Sequence, residues 1–239
     1  DGIMGEGTVI ITGGTFGFDP TTWVATGYKA VPSGSNFVVV SNDIDAVVSS
    51  TAELSDAIAN GNANIVLAED ITYNTAINNN AVINLNNNTF EATHSFKLGN
   101  NADLTMIGGD YVANGTFGHV DVRPSTAEGS VVTFEDVNFS FNKLGPTYGP
   151  STNRLGSVVE VCAEVADAHT KILFKNCTFD NAAVLFEGLS DKTGTIDAVF
   201  ENCTFNALTS SAPVSVTNFV HGTIKMTGCT FNLECTSSS

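Results

Sequence analysis

Positive charge is scarce in this chain. Nine lysines and arginines face 25 aspartates and glutamates, a formal net charge of -16 across 239 residues. A nucleic-acid backbone or an anionic lipid surface would be repelled, so neither is expected as a partner. Long apolar runs are missing as well. No stretch reaches the roughly 20 residues of a membrane span, so no membrane insertion is expected, and Asp1 is not followed by the charged and apolar regions of a signal peptide. The start therefore reads as processed or excised. Cysteines number five, an odd count, so at least one thiol is unpaired or bonded between chains and cysteine usage assigns no redox compartment. What is present is 42% hydrophobic, enough for a real core in one solenoid or two small domains.

That hydrophobic content is organised by a repeat. Residues 173–179 read LFKNCTF, 199–205 read VFENCTF and 225–231 read KMTGCTF, a 26-residue spacing twice over. Looser copies are TFEDVNF (133–139), TMIGGDY (105–111), NLNNNTF (84–90) and IITGGTF (10–16). The fourth column holds Gly13, Asn87, Gly108, Asp136, Asn176, Asn202 and Gly228, the residue types that accept left-handed backbone angles most cheaply. Each copy is predicted to bend there. The last column is aromatic throughout: Phe16, Phe90, Tyr111, Phe139, Phe179, Phe205 and Phe231. The column after the bend ends in Cys177, Cys203 and Cys229, whose spacing is that of the repeat and which therefore read as small buried thiols. Between bend and ring the residues alternate, as pleated strands require.

A third strand per repeat is read at VVEV (158–161), AVLF (183–186) and PVSV (213–216). One repeat then carries strands near 158–162, 171–175 and 177–179. Three strands per coil, stacked in parallel with the right-handed crossover parallel strands prefer, predict an all-β, right-handed parallel β-helix. Irregular bend spacings put long insertions near 112–130 and 142–156. STAELSDAIANG (50–61) reads as a short amphipathic helix with Ser50 or Thr51 at its N-cap and Gly61 at its end, placed to cover the open end of the stack. Residues 43–239 are assigned to the β-helix and 1–42 to an N-terminal segment with a short strand FVVV (37–40) and a linker.

The run VSSTAELSDAIANGNANIVLAEDI, followed by asparagine-rich repeats, resembles the opening of pectate-lyase-like right-handed β-helix proteins over roughly residues 43–239. GGTFGFDPTTWVATGYKAV is similar to a closing segment of gut-bacterial surface or secreted β-helix proteins and of phage structural proteins. These resemblances imply an extracellular, cell-surface or virion location and leave activity open, because enzymes and adhesive members share the scaffold. A closing segment at the start of the chain implies that residues 8–16, with Ile10, Ile11 and Phe16, stack on the last coil of a neighbouring copy or preceding domain, head to tail.

Enzymes on such scaffolds gather acids or cations on outward faces. The outward columns here read Glu160, Leu185, Ser215 and Glu135, Lys175, Glu201, Thr227, neither a carboxylate cluster. The best candidate is HVDVR, where His119, Asp121 and Arg123 share one side of an extended segment placed in an insertion. Tyr148, Arg154 and Glu160 would line the other wall of a ligand groove, for which glycans are the expected ligand class. The bland alternative is a polar loop held by an Asp–Arg pair. His94, His169 and His221 lack partners at metal-ligand spacing, and Asp43 with Asp45 fall short of a calcium site, so no metal or cofactor is expected. Cys229 and Cys235 are a candidate disulfide in an oxidising compartment. The expected function is a non-catalytic structural or adhesive protein, with polysaccharide binding or cleavage as the alternative.

Overall fold

The computed structural model describes residues 9–114, 119–142, 156–163, 165–188, 194–207, 213–217 and 221–233. The chain opens with β1 (Gly14–Phe16), β2 (Tyr28–Ser33) and β3 (Asn36–Ser41), an antiparallel sheet in the order β1-β3-β2. From there every strand pairing is parallel. β4 (Ala46–Val48), helix α1 (Thr51–Ala59) and β5 (Asn64–Leu67) begin the main body. It continues through β6 (Ile71–Thr72), β7 (Ala81–Asn84), β8 (Thr89–Ala92), β9 (Phe96–Leu98), β10 (Leu104–Ala113), β11 (Val120–Val122) and β12 (Val131–Phe141). The later repeats supply β13 (Gly156–Ala163), β14 (His169–Lys175), β15 (Thr178–Asp180), β16 (Ala182–Gly188), β17 (Thr195–Glu201), β18 (Thr204–Ala207), β19 (Val214–Thr217), β20 (His221–Thr227) and β21 (Thr230–Leu233). Among the described residues these strands make two parallel sheets. One runs β20-β17-β14-β12-β10-β7-β5-β4 with β6, β8, β15, β18 and β21 beside it, and the other runs β19-β16-β13-β11-β9. The protein is thus mostly β and parallel.

The bends fall where the residue types predict them. Asn87, Gly108, Asp136, Asn176, Asn202 and Gly228 all have φ between 55° and 67°, a region where a side chain other than Asn, Asp or Gly is strained. Amides stack along this column: Asn176 donates to Asp136 at 3.0 Å and Asn202 to Asn176 at 3.4 Å. Gly109 has a second reason to be glycine, because a Cβ there would lie 2.6 Å from the Asn88 carbonyl oxygen and from the Leu85 Cβ.

Past each bend an aromatic ring enters the core. Phe139, Phe179, Phe205 and Phe231 lie at centroid separations of 4.9, 4.7 and 4.9 Å with planes within 8° of parallel, the strand-to-strand spacing of a sheet. Phe90 and Tyr111 extend the column upstream. Phe134, Phe174 and Phe200 form a second column beside it. Each buried ring contributes roughly 1.5–3 kcal/mol by leaving water. Cys177 and Cys203 are buried just inside the bend, and their thiols donate to the carbonyls of Phe134 and Phe174.

Helix α1 is capped by Ser50, which accepts from the Glu53 N–H, and ends before Gly61 at φ 77°. Leu54, Ala57 and Ile58 are its buried face and pack onto the core at the β4 end. No helix among the described residues is long and apolar enough to cross a membrane.

The N-terminal motif departs from expectation. Gly14 rather than Gly13 has positive φ, Gly14–Phe16 pairs antiparallel with Phe37–Val39, and Phe16 packs edge-on against Phe18 instead of joining the aromatic column. Ile11 is buried and exchanges hydrogen bonds with Trp23 and Ala25, while Ile10 is 68% exposed. Residues 9–16 are therefore engaged within the chain, not presented as a terminal coil. The reason is competition: the alternation in IITGGTF suits any strand, and the hairpin that closes at Gly34 brings FVVV close in sequence.

Candidate functional site

HVDVR does not lie in an insertion, as its position between irregular spacings suggested. Val120–Val122 is the strand β11, and Val120 and Val122 point into the core. Period-two alternation then sends His119, Asp121 and Arg123 to the opposite face. Parallel register aligns Lys97, Asp121, Glu160, Leu185 and Ser215 across five strands. The column read as Glu160, Leu185, Ser215 is therefore longer by two charged residues, and Asp121 sits beside Glu160. A bulge between Ser157 and Val159 adjoins this point.

The side chains converge into one network. Arg123 Nε donates to both Asp121 oxygens, at 2.6 and 2.8 Å, and its terminal nitrogen donates to Glu160 Oε1 at 3.2 Å. His119 Nε2 lies 3.3 Å from Glu160 Oε2. Cys162, two residues along β13, donates to Glu160 Oε1 at 3.4 Å and lies 4.0 Å from Glu187 Oε2. Although the register puts them on the outward face, Asp121 is only 4% and Cys162 only 2% exposed. Burial pushes the Asp121 carboxyl above its ordinary range against the pull of Arg123. The same burial lowers His119, against Glu160 and Asp121, and raises the Cys162 thiol. Burial thus favours the neutral imidazole of His119 and the neutral thiol of Cys162.

Of the residues predicted to line a groove, His119, Asp121, Arg123 and Glu160 come together, whereas Tyr148 and Arg154 lie outside the described residues, as does Cys235. Cys162 and Glu187 were not anticipated. The signal that finds them is the alternation of β13 and β16 taken one step past Glu160 and Leu185, since Cys162 and Glu187 are register partners.

Other polar groups link repeats. Lys175 donates to Glu135 at 2.5 Å across the second outward column, whose register Glu135, Lys175, Glu201, Thr227 is as read from the sequence. His169 meets Asp197 at 2.6 Å, and Asp45 accepts from the Ala63 and Asn64 N–H groups. No family model, curated protein or solved structure matches this chain.

Proposed function

We propose that the stacked sheets are the coils of a right-handed parallel β-helix of the pectate-lyase-like kind, and that the protein is a non-catalytic extracellular, cell-surface or virion structural or adhesive element that assembles through its C-terminal end. The observation that carries this reading is the aromatic column. It runs buried through successive repeats, and in the last described repeat Phe231 is 45% exposed, as Ile224 and Met226 are also exposed, with β19, β20 and β21 each paired on one side only among the described strands. An edge of this kind is a template for another strand. The opposite end is already overlain by α1, which disfavours head-to-tail stacking on it. About 98% of parallel crossover connections are right-handed, which supports the hand. Analytical ultracentrifugation and electron microscopy of the full chain test the reading. End-joined particles that Phe231→Asp disperses are expected, and a chain that stays monomeric at every concentration and captures no partner through that end defeats it.

A polysaccharide-binding or polysaccharide-degrading role is the second reading. Its support is the pairing of Asp121 and Glu160 on adjacent strands beside Arg123, since carboxylate pairs drive glycoside cleavage. Release of new sugar ends from a polysaccharide panel, lost in Asp121→Asn and in Glu160→Gln, separates it from the scaffold reading.

A further inference from the structure

The cluster on β11 and β13 holds donor types that a scaffold does not need together. One imidazole, one thiol and two carboxylates converge, and the donor atoms of Asp121, Glu160 and Cys162 all lie within 4.8 Å of one another. Glu160 is the hub, with His119 Nε2 at 3.3 Å from one oxygen and Cys162 Sγ at 3.4 Å from the other. A tetrahedral zinc ion with bonds of 2.0–2.3 Å sets its ligands about 3.3–3.8 Å apart, so the separation of Cys162 Sγ from Glu160 Oε1 is already that of a coordination edge. Charge points the same way. Asp121, Glu160 and Glu187 bring three carboxylates toward Arg123 and toward Lys97, the exposed register partner of Asp121, and a cation that joins buried carboxylates offsets the cost of burying them.

We propose that Asp121, Glu160 and Cys162 form a binding site for a divalent transition metal of the zinc class, with His119 against the second Glu160 oxygen. Mixed sulfur and carboxylate donors select zinc or cobalt over calcium and magnesium. Arg123 holds the place of the ion in its absence, bridging Asp121 and Glu160. Its side chain is 29% exposed, so it has a path to water when the metal enters. Binding is a ligand exchange without redox chemistry: the Cys162 S–H bond breaks, its proton goes to solvent, and a metal–sulfur bond forms. The inference rests on neither functional reading above, although it engages the Asp121 and Glu160 carboxylates that the second one uses.

The test is titration of the full reduced chain, cleared with chelator, using zinc alone for stoichiometry and cobalt(II) alone for spectroscopy. About one equivalent is expected to bind with release of protons, and cobalt is expected to show a thiolate charge-transfer band in the near ultraviolet. Cys162→Ser and Cys162→Ala remove that band and weaken binding by about ten-fold or more, whereas Cys177→Ser leaves both unchanged. Arg123→Gln binds more tightly, because a competing cation has gone. Circular dichroism confirms that each variant folds. Binding below about a tenth of an equivalent by the wild type, or a charge-transfer band that survives loss of Cys162, overturns the site.

Discussion

Phe205 and Phe231 lie face to face at 4.9 Å with planes 8° apart, yet Phe205 is fully buried and Phe231 is 45% exposed. The two rings occupy equivalent positions in consecutive repeats, so what distinguishes them is the presence of a following ring. Phe179 has one on each side. Phe179→Ala is expected to cost about 3–5 kcal/mol, transfer plus cavity, and Phe231→Ala clearly less because half of that ring already meets water. Urea denaturation followed by circular dichroism measures both, and equal costs would contradict the end position of Phe231.

The bend column makes a second prediction. Asn202 sits at φ 55°, its amide donates to Asn176, and its backbone N–H donates to the Thr227 carbonyl. Asn202→Ala keeps the strain of a left-handed residue and loses the amide, a cost of roughly 1–2 kcal/mol. Asn202→Gly loses only the amide and is expected to cost less than the alanine, the reverse of the order seen in a strand interior. Thermal melts of the two variants against wild type check the order.

These columns were legible in the sequence because each position has a local reason: a bend needs Gly, Asn or Asp, and the core needs a ring. The same rule misled at Gly13, where an identical pattern pairs antiparallel with Phe37–Val39, since strand partnership is a tertiary choice that a seven-residue motif does not specify. The site was legible by halves. Alternation put His119, Asp121 and Arg123 on one side, but irregular spacing hid the register that sets Asp121 beside Glu160, and with it the approach of Cys162.

Acid should act through Asp197. Its carboxylate accepts from the Thr223 hydroxyl and backbone N–H and faces His169, contacts that hold it below its ordinary value of 3.8. A depressed carboxylate contributes stability that is present above its unfolded value and is lost as pH falls through the folded one. Asp197→Asn should therefore melt slightly lower than wild type at neutral pH, the effect being small because the group is exposed. The difference should shrink as pH falls below 3.8 and vanish once pH is below the depressed folded-state value. Melting temperatures over a pH series decide it, and a gap that persists in acid would show that shape rather than charge is responsible.

Thiol reactivity should separate the stacked cysteines by access. Cys177, Cys203 and Cys229 fill one column, but Cys177 and Cys203 are closed off while Cys229, in the last described repeat, is half-buried. The hydrogen bond toward Cys203, together with burial, holds the Cys177 thiol above its ordinary value, whereas the partner bond lowers Cys203 to about 7. Acidity alone would thus make Cys203 more reactive than Cys177. Enclosure should override it, because reagent reaches Cys203 only when the stack opens. Native alkylation with peptide mapping is expected to modify Cys229 first and Cys177 and Cys203 more slowly, on the order of a hundred-fold. Adding denaturant should abolish the difference. Should Cys203 react at the rate of Cys229 in native buffer, the column would not be the closed core that the ring stacking requires.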